Sequence, residues 1–268
     1  MRQQSSLARL LASAAVTAIL AAGLGGCQTM ADITGSLTSK AEPSPGADPR
    51  SSLDVYGERY RANPKDAQAA LAYGQALRAT GQRSQAVAVL EQATIAHPGN
   101  KPLLAGYGRA LADNGNFQQA FDVLSRAHSP DNPDWRILSV QGTALDQLGR
   151  HDDARRYYAS ALRMVPDEPS VLSNLGLSYV LSRDLPKAEE ILRRAYASTR
   201  ADARVRQNLG LVVGLQGRFT EAETIVKADL PPEEAAANVA YLKQMLSRKD
   251  NPRAGVGAIP VASLNRSD

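Results

Sequence analysis

The stretch AYGQALRATGQRSQAVAVLEQA at residues 72–93 returns as GYGRALADNGNFQQAFDVLSRA at residues 106–127. Gly74 falls on Gly108, Gly81 on Gly115, Ala86 on Ala120, Leu90 on Leu124 and Ala93 on Ala127, a step of 34 residues. The step continues without a slip. Gly142, Gly176 and Gly210 extend the first ladder, and Ala154, Ala188 and Ala222 extend the alanine ladder. A constant period of this length is the mark of stacked helical hairpins. Small residues at matched points let the two helices of a hairpin approach closely and let the next hairpin dock. The expected fold is therefore all-α, a right-handed α-solenoid of about five two-helix repeats.

Units that start seven residues before each glycine begin at Ala67, Lys101, Trp135, Pro169 and Ala203. Tyr73, Tyr107, Leu175 and Leu209 precede the glycines, and Leu77, Leu111, Leu145, Tyr179 and Val213 follow by three, which puts them on one helical face. Gly81, Gly115, Gly149 and Gly217 mark the turn inside each hairpin. Arg183 holds that place in the fourth unit, so its turn is expected to be strained or differently shaped. The second helices carry Leu90, Leu124, Tyr158, Leu192 and Val226, then Ala93, Ala127, Ala161 and Ala195, with Pro98 and Pro166 closing their units.

These positions resemble the tetratricopeptide repeat family from about Leu53 to Leu246. Two departures stand out: Gln141 replaces an apolar residue, and Asp229 replaces the last alanine of unit five, where regular stacking is expected to end. Leu53, Tyr56, Tyr60 and Pro64 match only a second helix, so an N-terminal half repeat is expected. Pro231 and Pro232, followed by Glu233 and Glu234, open a last helix to about Ser247, carrying Val239, Leu242 and Leu246, that caps the array. The expected organisation is a signal peptide at 1–26, a lipidated Cys27 and disordered tether at 27–50, the solenoid at 51–248 and a disordered tail at 249–268.

The amino-terminal reading rests on Arg2 and Arg9, an apolar run from Leu10 to Leu24, and Leu24-Gly25-Gly26-Cys27, which resembles a bacterial lipobox. The run is shorter than the roughly 20 residues of a spanning helix. Cys27 is the only cysteine, so no disulfide can form within the chain, and diacylglycerol on its thiol is the expected fate. In the sorting logic this resembles, Gln28 in place of aspartate implies the outer membrane, with the body facing the periplasm. The Pro-, Gly- and Ser-rich segment that follows reads as a flexible tether. Of 31 basic and 27 acidic residues, Arg2 and Arg9 leave with the signal, so 29 against 27 gives +2. That near balance, with no block of basic residues and few aromatic residues, gives little support to nucleic-acid binding, which is not expected.

Groove-lining positions on the first helices begin polar and end apolar: Gln68, Gln75, Arg78, Arg109, Asp113, Arg136, Thr143 and Asp146, then Leu177, Val180, Leu181, Leu211 and Leu215. Asn174 and Asn208 occupy equivalent places, and asparagine there resembles the residue that grips a peptide backbone in peptide-binding members of the family. One reading is a partner-binding groove of Asn174, Leu177, Leu181, Asn208, Leu211 and Leu215. The other is that the chain's own C-terminal helix covers those leucines.

Catalytic residues, cofactors and metals are not expected. His97, His128 and His151 lie in or beside turns, the one cysteine is assigned to lipid, and no phosphate loop or nucleophile elbow occurs. Asp152 with Asp153 and Glu189 with Glu190 sit at helix starts, where acids complement the dipole. Trp135 reads as a packing residue.

The lipobox, tether, repeats and the segment Asp229-Leu230-Pro231-Pro232-Glu233-Glu234-Ala235-Ala236-Ala237-Asn238-Val239-Ala240-Tyr241-Leu242 together resemble TadD-like lipoproteins of tight-adherence (Flp) pilus assembly. That resemblance implies a non-enzymatic, pilotin-like role in a type IV-like pilus machine, with a secretin or another pilus component as protein partner. The alternatives are a general periplasmic scaffold for cell-wall enzymes or outer-membrane assembly, and a hydrolase whose site carries no known motif.

Overall fold

The computed structural model describes residues 49–128 and 133–250; Leu24, Gly25, Gly26, Cys27, the tether up to residue 48 and the tail after residue 250 lie outside them. The described residues form twelve helices and no strand: α1 (Pro49–Ala62), α2 (Ala67–Ala79), α3 (Arg83–Ala96), α4 (Lys101–Asp113), α5 (Phe117–Ala127), α6 (Trp135–Gln147), α7 (His151–Met164), α8 (Pro169–Leu181), α9 (Leu185–Tyr196), α10 (Ala203–Leu215), α11 (Phe219–Val226) and α12 (Pro232–Asp250). They fall into two compact units, residues 49–208 and residues 209–250.

Each ladder glycine sits under the large side chain four residues after its ladder alanine. A Cβ added at Gly74 would lie 2.5 Å from Leu90 Cγ, at Gly108 2.5 Å from Leu124 Cγ, and at Gly176 2.6 Å from Leu192 Cγ. In the second unit, a Cβ at Gly210 would lie 2.5 Å from Val226 Cγ1. Ala86, Ala120, Ala154, Ala188 and Ala222 are all buried. The core of the first unit follows from this spacing: one cluster runs from Ala70 to Val140 and a second from Leu138 to Val205.

The turns use the left-handed backbone that glycine adopts without a Cβ penalty. Gly81 has φ 75° and donates to Arg78 O, while Gln82 donates to Leu77 O at 2.8 Å. Arg183 adopts φ 66°, donates to Val180 O, and its follower Asp184 donates to Tyr179 O. The fourth turn therefore keeps the common shape and carries the strain of a left-handed non-glycine residue.

A further ladder starts the first helices. Asp66, Asn100, Asp134, Glu168 and Asp202 stand 34 residues apart. Each accepts a backbone N–H of its helix: Gln68, Leu103, Arg136, Ser170 and Val205 donate in turn. These caps satisfy donors that the helix itself leaves open.

The half repeat is present. α1 begins at Pro49, two residues before the expected edge of the repeat body, because proline at the first helical position has its φ already set. Tyr60 stacks on Tyr73 with centroids 5.5 Å apart, and Gly57 lies against the same ring. In the second unit, α12 docks on α10 and α11. A Cβ at Gly214 would meet Leu242 Cδ2 at 2.5 Å and Ala222 Cβ at 3.5 Å, and Leu242 and Ala235 are buried.

Candidate functional site

The first helices hold the candidate residues, and the structure separates them into two kinds. Of the polar positions expected to line a groove, Arg109, Asp146 and the side chain of Asp113 are buried between repeats, whereas Gln68 is exposed and Gln75, Arg136 and Thr143 are half-buried. Arg78 Nε donates to Asp113 Oδ2 at 2.6 Å, with side-chain exposures of 12% and 3%. Arg109 is 1% exposed, and Asp146 is buried too. Burial first, then the neighbouring Arg78, draws the Arg109 guanidinium down to about 9. Burial also raises the Asp113 carboxyl above the ordinary aspartate range, against the pull of Arg78. The expectation that Arg109, Asp113 and Asp146 face a solvent-filled groove is therefore corrected: adjacent first helices lie close enough to enclose them.

Asn174 and Asn208 belong to the same interlock. Asn174 Nδ2 donates to Ser139 Oγ at 3.1 Å, and Asn208 Nδ2 donates to Ser173 Oγ at 2.8 Å. Both asparagines are 7% exposed. Each bond links a first helix to the one before it, so one amide hydrogen of each residue sets the register of successive repeats. Each carboxamide retains a second hydrogen and its acceptor capacity.

Leu177 and Leu181 are half-buried in the first unit, and Leu211 and Leu215 are half-buried in the second. Within the second unit, α12 reaches α10 through Gly214, one residue before Leu215. Gly214 is the fifth-unit counterpart of Asp146 and Val180. Asp146 in turn meets Ser178 of the following first helix. The C-terminal helix thus takes the place that a sixth first helix would take.

Repeat three contains a polar knot that sequence reading missed. Tyr158, in place of leucine, lies over Gly142 and donates its hydroxyl to Asp146 Oδ2 at 2.9 Å. Ser178 of α8 donates to Asp146 Oδ1 at 2.8 Å, and His151 Nδ1 lies 2.8 Å from that oxygen. His151, beside the turn at the start of α7, is thereby tied to a buried carboxylate. Gln141, the departure noted in the repeat pattern, is explained by its Nε2 donating to Ser125 Oγ at 3.0 Å. His97 Nε2 meets Lys65 O at 2.7 Å. Trp135 is half-buried under the Arg136 guanidinium, 4.8 Å from its centroid. The paired acids make local ion pairs, Arg150 with Asp153 and Arg193 with Glu189 among them.

Burial pushes the Asp146 carboxyl above the ordinary aspartate range despite the donors from His151, Ser178 and Tyr158 that pull it down. A carboxyl whose pKa rises on folding favours the folded state below its unfolded value, about 3.9, and withdraws that support as pH rises through the folded value. In a His151→Gln background, which places an uncharged amide beside the carboxyl, Asp146 is therefore expected to lose stability relative to Asp146→Asn as pH rises from about 4 toward neutrality. Urea melts across that range measure the difference. A difference that moved the other way would assign the dominant effect to the donors.

Among the described residues no helix is long and apolar enough to cross a membrane, and no group of three or more His, Cys, Asp or Glu side chains is placed to hold a metal ion.

Models of the tetratricopeptide repeat match residues 79–141 and 140–203. A cytochrome c-type biogenesis protein, CycH of Bradyrhizobium diazoefficiens, is 31% identical over 140 residues, which cover 51% of this chain and 37% of that protein. The chain thus spans well under half of the length of that curated relative. Among solved structures, PilW, a widely conserved type IV pilus biogenesis factor, superposes with a TM-score of 0.63 at 17% identity over 72% of this chain and 91% of that one. The Cut9–Hcn1 complex of APC/C gives 0.62 at 19% identity, covering 77% of this chain and 41% of that one. At such identities the two structures show the fold alone. The 34-residue ladders, the helical hairpins they build and the two repeat matches over residues 79–203 together show a tetratricopeptide-repeat solenoid.

Proposed function

We propose that this chain is a non-enzymatic lipoprotein, anchored to the outer membrane through Cys27, that helps assemble or localise a Flp/Tad type IV-like pilus machine by holding a segment of a secretin or another pilus component. The observation that carries the protein-holding part is the change along the first helices. Arg78 and Asp113 are closed into a cross-repeat pair, whereas Leu177 and Leu181, and in the second unit Leu211 and Leu215, keep part of their surface open. Half-open leucines on a helix suit the apolar side chains of a partner segment. The unused amide capacity of Asn174 and Asn208 then suits its backbone. The anchor and the pilus assignment rest on the sequence, on Leu24-Gly25-Gly26-Cys27 and on the 229–242 segment.

The similarity to CycH favours a second reading, an envelope scaffold that serves a different assembly pathway such as cytochrome c biogenesis. Affinity capture from membranes separates the two. A secretin or pilus component is expected with the wild type and is expected to be lost with Cys27→Ala, and with Asn174→Ala plus Asn208→Ala when circular dichroism shows the helices intact. Recovery of cytochrome c biogenesis factors in its place supports the second reading. Undiminished capture by the double asparagine variant removes those residues from the contact.

A further inference from the structure

A cavity of about 350 Å3 opens on the second-helix side of the first unit, between α3 and α5, with Leu104 and Tyr107 of α4 among its walls. Ile95, also in its lining, is 72% exposed, although Leu104 and Val123 beside it are buried. The polarity of the hydrogen bonds around it follows from one residue. A carboxylate only accepts, so the Tyr107 hydroxyl donates to Glu91 Oε1 at 3.0 Å and accepts from Gln119 Nε2 at 3.1 Å. Burial, then the bond to Glu91, pushes the Tyr107 phenol up to about 12, so it remains a donor. Thr94 gives its hydroxyl hydrogen to Glu91 O at 2.8 Å. The Gln119 amide oxygen, the Thr94 oxygen and the Glu91 carboxylate are thereby left as acceptors around an apolar floor.

We propose that this cavity seats a lysine or arginine side chain of a protein partner, its stem against Ile95, Leu104 and Val123 and its cation toward Glu91, Thr94 and Gln119. Long basic side chains are built for such a place, with an apolar stem and a charged end that seeks acceptors. Arg126 of α5 lines the same cavity and adds a second requirement. A bare cation would be repelled by it, whereas a segment whose basic residue has an acidic neighbour satisfies both Glu91 and Arg126. The inference rests on the reading of the chain as a holder of protein segments, but its residues are separate from Leu177 and Leu181.

The test is titration of the isotopically labelled full chain with acetyl-Glu-Arg-amide, followed by amide chemical shifts. Shifts are expected at Glu91, Thr94, Ile95 and Gln119. Affinity is expected to fall about two- to fivefold when norleucine replaces the peptide's arginine or when the protein carries Glu91→Gln, the scale of one exposed charged contact. Glu91→Gln keeps an acceptor for Tyr107, and Arg126→Gln is expected to weaken acetyl-Glu-Arg-amide but not acetyl-Arg-amide. Equal binding of the norleucine peptide, equal or tighter binding of free spermidine at these amides, or shifts confined to Leu177 and Leu181 would each overturn the proposal. The last of these outcomes leaves the first-helix reading standing, and loss of capture by first-helix variants leaves this cavity standing.

Discussion

Gly108→Val is expected to destabilise the protein by about 3 kcal/mol or more, seen as a lower urea midpoint. Two effects compete at this position. Replacing a mid-helix glycine gains helix propensity, at most about 1 kcal/mol. Against that, the first added carbon would lie 2.5 Å from Leu124 Cγ and 3.4 Å from the Ala120 carbonyl oxygen. The clash meets the branch point of a buried leucine as well as its Cδ2 methyl, at 2.7 Å, and backbone stands behind it, so α4 and α5 must separate. Separation exposes Leu111 and Leu124, which are buried on both sides of the contact. The clash therefore outweighs the propensity gain. Leu124→Ala opens room at the same point, so the double variant is expected to lose less than the sum of the two single losses by at least about 1 kcal/mol. Strict additivity would show that Gly108 is retained for another reason.

Leu242→Asp is expected to release α12. Leu242 is 6% exposed and rests on Gly214, where no side chain intervenes. Its loss removes about 2 kcal/mol of apolar burial, and an aspartate at that point would have to leave water without a partner. Undocking of the helix avoids the second cost, so local opening and not global unfolding is the expected outcome. Hydrogen exchange in 232–247 should then approach that of an open segment, while the amides of α4 through α7 keep their protection. Tyr241→Asp is the control, because Tyr241 is 37% exposed and one position round the helix. It is expected to change exchange by less than about 0.5 kcal/mol. If Leu211 and Leu215 contribute to partner binding beside a docked α12, the release should also alter capture.

The periodicity made most of the fold legible, because a repeat that buries the same face every 34 residues must place small residues at the same points. The glycine and alanine ladders, the turn glycines and the half repeat at Tyr60 follow from it, and the last helix after Pro231 follows from its prolines, first-turn acids and helical spacing of Val239, Leu242 and Leu246. The capping ladder of Asp66, Asn100, Asp134, Glu168 and Asp202 was legible by the same period, and only its chemical variety hid it. The candidate site was less legible. Arg109, Asp146 and Asn174 stand at positions that look outward on a single hairpin, and their burial depends on how near the next hairpin comes.

By itself, the sequence determined the period, the helical hairpins, the close-packed glycines and the ends of the array, since these depend on residues within one unit or at a constant step. Only the tertiary structure decided which polar side chains are enclosed. Asn174 finds Ser139, Arg78 finds Asp113 and Asp146 gathers Tyr158, Ser178 and His151, contacts between helices whose relative rotation no periodicity encodes. The physical reason is that a repeat specifies which positions are equivalent, whereas burial depends on the distance between neighbouring units. A few ångströms there separate a solvated groove residue from a buried hydrogen-bonded one.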